Sequence, residues 1–147
     1  MLPTSISETL TASEPASAVL AAALAHFDCQ TGTVHILSDG VLRLSAHAGI
    51  PPQLLPIIDT VPIGKGIAGL AAERREPVSL CNLQTDTSGQ ALPSAKQTGM
   101  EGSLAVPILV GGDLRGVFGI AKATAHDWSN EEKALVLEIA SALGERV

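Results

Sequence analysis

The stretch SLAVPILVGGDLRGVFGIA, residues 103–121, decides the fold of this 147-residue chain. Two apolar runs, residues 103–110 and 114–121, lie on either side of Gly111-Gly112-Asp113. Apolar runs joined by a short glycine-containing turn are typical of a β-hairpin. We therefore expect two antiparallel strands in the second half of the chain.

A similar pattern occurs earlier, where residues 33–37 and 41–48 are joined by Ser38-Asp39-Gly40. The first run is rich in β-branched residues, and the second alternates apolar with polar side chains. This pattern predicts a second hairpin. Two hairpins in one short chain indicate a sheet that is largely antiparallel.

The segment between the hairpins predicts only short elements. We expect a short helix within residues 53–58, a helical turn at 70–74 and a short strand at 78–81. Residues 82–99 are polar and show no clear periodicity. A connection of that length inside a compact domain is usually functional or mobile.

Helices are predicted at both ends of the chain. Residues 14–27 are rich in Ala and Leu, with Thr11 or Ser13 as candidate caps. The last segment opens with Ser129-x-x-Glu132, the spacing of a capping box, and is expected to be helical to about Arg146.

Composition indicates one packed domain. Hydrophobic residues make up 46% of the chain and charged residues 16%, as in globular proteins. We expect residues 1–12 to be a flexible N-terminus and residues 13–147 to form a single domain. The net charge of −6 and the absence of a basic run argue against nucleic-acid and anionic-membrane partners.

Location is predicted from two further features of the sequence. The longest apolar stretch near the N-terminus, residues 16–25, is too short to span a bilayer and follows acidic residues. The chain has only two cysteines, whereas a secreted domain that needs disulfides usually carries more. We therefore predict a cytoplasmic protein without a membrane segment.

Further motifs give the chain a family resemblance. They are IGKGIAG at 63–69, followed by Pro77-Val78, and WSNEE at 128–132, in fixed order around the 103–121 hairpin. With these motifs the chain resembles a GAF domain over nearly all of its length. The resemblance implies an α+β, profilin-like and PAS-related sandwich. Its central antiparallel sheet would carry the N- and C-terminal helices on one face and, on the other, a ligand pocket under short helices and a long loop.

The resemblance also implies a function. GAF domains bind small molecules or dimerise, so we expect a non-catalytic sensing or regulatory domain that acts through loop ordering and forms a homodimer through its terminal helices. The ligand and any cofactor remain unknown at this point. The alternative is an interaction module whose pocket has collapsed.

Matching the family's pocket positions to this chain implies a set of ligand-binding candidates. They are Val34, His47, Ile67, Ala68, Thr98, Gly102 and Phe118. Of these, His47 is either a hydrogen-bonding group inside an apolar cavity or a histidine partly exposed at a strand end.

The glycines of Gly64-Lys65-Gly66-x-x-Gly69 also permit a phosphate-loop interpretation. The spacing does not match a Walker loop, and no βαβ unit follows. In GAF domains a motif of this kind mainly forms the turn that starts a helix, and it is less often a phosphate loop. The positions that match the family's cyclic-nucleotide motif are altered here, although Lys122 and Glu132 can still pair.

An enzymatic alternative is free methionine-R-sulfoxide reductase, a GAF enzyme that uses pocket cysteines. A thiolate must attack the sulfoxide, and a second thiol must resolve the product. Here Cys29 and Cys81 lie outside the matching positions, so we predict that the chain is not an enzyme. The histidines and cysteines lack ligand spacing, and no metal site is expected.

Overall fold

One antiparallel sheet organises the molecule. The computed structural model describes residues 2–147. The strands in this part of the chain are β1 (Thr31–Ser38), β2 (Val41–Ala48), β3 (Thr60–Pro62), β4 (Val78–Leu80), β5 (Gly102–Val110) and β6 (Asp113–Lys122). They lie side by side in the order β3-β2-β1-β6-β5-β4, and all neighbouring pairs are antiparallel. The two predicted hairpins are β1–β2 and β5–β6.

Helices cover both faces of this sheet. In chain order they are α1 (Thr4–Ser7), α2 (Pro15–Phe27), α3 (Leu55–Ile58), α4 (Gly66–Arg74), α5 (Pro93–Lys96) and α6 (Asn130–Gly144), with 3-10 turns at Glu8–Thr11 and Pro52–Leu54.

The terminal helices α1, α2 and α6 pack on one face, which we call the helix face. α2 starts with Pro15 at its first position, where the missing N–H is no loss, and ends at Asp28 in the left-handed region. The predicted capping box is confirmed: the Ser129 hydroxyl accepts from the Glu132 amide, and the Glu132 carboxylate accepts from the Ser129 amide. These helices and the strands enclose the larger core, which includes Val34, Phe118 and Ile139.

The opposite face, which we call the cavity face, carries α3, α4 and α5. A smaller apolar cluster there joins α4 to the strands through Ile67, Ala71, Val78 and Val117. The predicted α+β sandwich, with terminal helices on one face and short helices with a long loop on the other, is confirmed.

The N-terminal segment, predicted from the sequence to be a flexible tail, carries two short helical elements. Met1 lies outside the described residues, but α1 and the following 3-10 turn are ordered elements. Ile6 is fully buried in the core of the helix face, and Leu10 packs beside it. Burial of one large side chain holds this short segment against the domain.

Two further short elements, outside the N-terminal segment, were not predicted from the sequence. β3 pairs with β2 through Thr60–Pro62, and α5 interrupts the long loop. Each has no more than four residues, which is too short for a periodic pattern to develop.

Candidate ligand-binding site

A partly enclosed cavity of about 150 Å³ lies on the cavity face of the sheet. Its wall on the sheet side is built from β1, β5 and β6, in the middle of the strand order. Polar side chains in this wall are Thr31, Thr33, His35 and Ser103. The remaining lining is mostly aliphatic, so the cavity suits a small ligand with few polar groups.

The glycine motif shapes the side of the cavity formed by α4. The amide of Gly64 donates to the Gly69 carbonyl at 2.8 Å, and a Cβ on Gly69 would lie 2.5 Å from the Pro62 carbonyl oxygen. The motif is therefore a tight turn that starts α4, and this turn directs Ile67 and Ala68 to the cavity. Gly66 has a φ of +70°, a conformation that glycine adopts without strain.

The long loop closes the cavity through Leu92, Ser94, Ala95 and Thr98. The Gln84 side-chain amide donates to the carbonyls of Lys96 and Met100, at 2.9 and 2.7 Å. These hydrogen bonds connect the first part of the loop to its last part. We refer to residues 83–98 as the lid.

Two polar side chains of the cavity wall are buried, Thr31 at 5% exposed and His35 at 3%. Nε2 of His35 lies 2.8 Å from the Ile58 carbonyl oxygen. A carbonyl only accepts hydrogen bonds, so Nε2 carries the proton and donates it. Burial lowers the pKa of His35, although the Ile58 contact and Asp59 raise it. The neutral ring then leaves Nδ1 as a bare acceptor, and Nδ1 has no partner among the described residues.

The structure places three of the sequence-predicted site residues in the cavity lining: Ile67, Ala68 and Thr98. Val34 and Phe118 are instead on the helix face, where both are fully buried in the larger core. These two residues are cross-strand partners in β1 and β6. Successive side chains point to opposite faces of a sheet, so the residues beside them, Thr33, His35 and Gly119, line the cavity instead.

Two further predicted residues are outside the cavity. His47 is exposed near the end of β2 and borders a surface depression together with Asp59. Of the two interpretations, the exposed histidine is therefore the one that the structure shows. Gly102 is buried, but a Cβ there would lie 2.8 Å from Cβ of His126, in the segment that leads to α6. His35 was not predicted from the sequence as a cavity residue, and its signal was its position one residue after Val34 in the same strand.

Lys122 and Glu132 each have a partner other than the one considered from the sequence. The Lys122 ammonium donates to the Phe27 carbonyl and lies 5.7 Å from the centre of the Trp128 ring. The Glu132 carboxylate contacts His126 Nε2 at 2.9 Å. Partial burial raises the pKa of Glu132, but hydrogen bonds from Ser129 and His126 outweigh this effect and lower it.

Both cysteines are free thiols, and neither lines the cavity. Burial raises the pKa of Cys29 to about 11, while nearby Lys122 lowers it in part. A thiol with that pKa stays protonated at neutral pH and is a weak nucleophile. Cys81 is exposed at the end of β4.

Two other kinds of feature are absent from residues 2–147. No cluster of three or more His, Cys, Asp or Glu side chains has the arrangement of a metal site in this range. Helices of the described chain are all too short or too polar to cross a bilayer.

An antiparallel sheet with terminal helices on one face and a lidded cavity on the other defines a class of α+β domains. The chain belongs to the GAF domain family, whose sequence model it matches over residues 9–146. No curated protein gives a significant match.

Solved structures share this fold. The GAF domain of a phosphoenolpyruvate-protein phosphotransferase from Coxiella burnetii is 23% identical, with 96% of this chain and 87% of that chain covered and a TM-score of 0.80. The corresponding domain from Acinetobacter is 16% identical, with 95% and 86% covered and a TM-score of 0.77. Free methionine-R-sulfoxide reductase from Neisseria meningitidis, in complex with its substrate, is 14% identical, with 96% and 83% covered and a TM-score of 0.79. At these identities the likeness concerns the fold alone.

Proposed function

We propose that this chain is a non-catalytic sensing or regulatory GAF domain that binds a small molecule in the cavity under the lid. The observation that carries the proposal is the cavity of about 150 Å³, with a buried histidine in an otherwise mostly aliphatic wall. A module with a collapsed pocket would have this volume filled by side chains. An aliphatic cavity of this size is enough to hold a ligand the size of benzene.

Signalling would begin at the lid. Leu92, Ser94 and Ala95 line the cavity, and Gly66 at the start of α4 lies against Leu92. A bound molecule would contact both the lid and the sheet, and so would favour the closed arrangement of the lid. Adjacent residues of β1 then connect the cavity to the helix face, since His35 is in the cavity wall and Val34 is in the helix-face core.

Native mass spectrometry tests ligand binding directly. The wild-type protein is expected to carry a non-covalent mass that is lost on denaturation, or to take up a small apolar probe added to it. Ala68→Trp places a large ring in the cavity and is expected to abolish binding while the fold is retained. Ala12→Trp, at an exposed position before α2, is the matched control. Equal binding by both variants would contradict the proposal.

In this proposal the signal is passed on by a homodimer that forms through the terminal helices. The outer side of α2 exposes Ser17, Ala21 and Ala25, small residues that allow close approach of another helix. We expect twice the chain mass by light scattering, and a monomer for the double variant Ala21→Glu, Ala25→Glu. A wild-type protein that stays monomeric at high concentration would remove the dimer from the proposal without affecting the cavity.

The non-catalytic part of the proposal rests on thiol placement. A reductase acting on a sulfoxide needs a thiolate at the ligand, but both thiols are outside the cavity lining and Cys29 is held protonated. Incubation with free methionine-R-sulfoxide and a dithiol reductant is expected to give no methionine above the rate without protein. Turnover that is lost in Cys81→Ser would overturn this part and indicate a reductase.

A further inference from the structure

The cavity contains one polar atom whose hydrogen bonding is incomplete. Nδ1 of His35 is buried and has no donor among residues 2–147. A buried acceptor without a partner is unfavourable, so a molecule that supplies a donor gains from this site. His35 belongs to the cavity lining, so a ligand seated against this ring, with a small shift of the groups that cover Nδ1, would supply that donor.

The hydrogen bond at Nε2 fixes the tautomer of the neutral His35 ring. Nε2 donates to the Ile58 carbonyl at 2.8 Å, and that bond requires the proton to be on Nε2. Burial lowers the pKa of His35 and favours the neutral ring, in which Nδ1 then offers a lone pair. A ligand carbonyl, ether or carboxylate oxygen at this position would face another lone pair and be repelled. The site thus selects for an O–H or N–H group.

Charge around the cavity narrows the ligand class further. None of the described residues that line the cavity is acidic, so a protonated amine would enter without a counter-charge. Lys65 is the cationic lining residue and is itself exposed, whereas His35 is in the buried wall. Most other lining side chains are aliphatic. A neutral ligand therefore fits the wall better than an ion.

We infer that the cavity takes a small neutral molecule with an apolar body and a single O–H or N–H group that donates to Nδ1 of His35. The inference rests on the proposed ligand-binding function and identifies His35 as the residue that decides specificity. An aliphatic cavity of similar volume holds benzene, so a body of roughly six to ten non-hydrogen atoms suits this one. Phenols, small alcohols and small amides belong to this class.

Phenol and toluene form a matched pair of probes, because they differ only by O–H in place of CH3. Their dissociation constants are measured by NMR titration for the wild-type protein, His35→Gln and His47→Gln. A Gln amide at position 35 can still donate to the Ile58 carbonyl but does not place an acceptor where Nδ1 was. His47→Gln makes the same change at an exposed histidine outside the cavity.

We expect His35→Gln to weaken phenol relative to toluene by about five- to tenfold, the effect of one neutral hydrogen bond. His47→Gln should leave the ratio unchanged. An unchanged ratio in His35→Gln would overturn the role of His35 and indicate that a water satisfies Nδ1, while binding of both probes would still support the cavity. Failure of both probes to bind the wild-type protein would instead overturn the proposed function.

A second measurement covers the case in which His35→Gln does not fold. In wild-type protein labelled with 15N-histidine, the Nδ1 resonance of His35 should shift on addition of phenol and remain in place on addition of toluene. Equal responses to both probes would contradict the inference, because toluene has no donor.

Discussion

The two faces of the sheet use the same strands in different ways. On the helix face, Val34, Phe118 and Ile139 are fully buried and belong to one continuous core. On the cavity face, α4 and the lid stand over a void with a buried histidine in its wall. One face is filled and the other is not, although β1, β5 and β6 contribute to both.

This difference separates stability from binding within a single layer of strands. Apolar burial and close packing on a filled face raise the free energy of unfolding, and such a face tolerates little change in volume. A face with a cavity lacks part of this stabilisation but leaves room for a ligand. We therefore expect substitutions on the helix face to act mainly on unfolding and those on the cavity face mainly on binding.

The largest expected effect is that of Phe118→Ala on the helix face. Removing this fully buried ring should lower the free energy of unfolding by about 3–5 kcal/mol, through lost burial and the space left behind. Urea denaturation monitored by circular dichroism measures the change. Ile57→Ala, which truncates a side chain that is 57% exposed on the cavity side, is the control and should change stability by less than about 0.5 kcal/mol. Similar losses in the two variants would contradict the contrast between the faces.

A smaller effect is expected from adding one methyl group to each face. A Cβ at Gly32 would lie 2.7 Å from Cδ1 of Leu20 on α2, so Gly32→Ala should reduce stability by about 1–3 kcal/mol. A Cβ at Gly119, beside the cavity, would lie 3.3 Å from Thr33 Oγ1 and 3.8 Å from the Leu104 carbonyl oxygen. We expect Gly119→Ala to stay within about 0.5 kcal/mol of wild type, and to weaken probe binding. Equal stability losses would show that the cavity face is as tightly packed as the helix face.

Much of this architecture could be predicted because it depends on local signals. Gly111-Gly112-Asp113 and Asp39-Gly40 mark the two hairpins, and β5–β6 and β1–β2 form there. The capping box fixed the start of α6 in the same way. Turns and caps are determined by a few adjacent residues, so they can be read from the sequence without knowledge of the tertiary contacts.

The cavity could be predicted only in part, because both faces of the central strands are covered. An apolar residue such as Val34 or Phe118 suits either face, and alternation alone does not indicate which face holds the cavity. The register of β2 against β1 also shifts between Val34 and His35, which changes the pairing near the site. His35 was missed for this reason. Ile67 and Ala68 on α4, by contrast, do line the cavity, because the glycine turn sets where that helix starts.

The dependence of stability on pH should reveal the buried histidine of the cavity face. Burial lowers the pKa of His35 below 6.5, so the unfolded chain binds a proton before the folded chain does. The contribution of neutral His35 is complete above pH 6.5 and is lost as the pH falls through the folded-state pKa. Urea unfolding between about pH 7.5 and pH 5 should show a steeper decline for wild type than for His35→Gln. The same decline in both proteins would contradict this assignment.

The smallest effect on global stability is expected at the lid, where the change should be local. Gln84→Ala removes the two side-chain hydrogen bonds that join the ends of the lid, and both are exposed. Exposed contacts of this kind contribute little to the free energy of unfolding, whereas a segment held by few contacts opens independently of the core. We expect urea midpoints close to wild type but faster tryptic cleavage after Lys96, with Gln53→Ala, another exposed glutamine, as the control. Because the lid lines the cavity, a bound probe should slow this cleavage in the wild-type protein. Cleavage that is insensitive to both the substitution and the probe would mean that lid opening is not linked to the cavity, and that a ligand signal reaches the helix face through β1 alone.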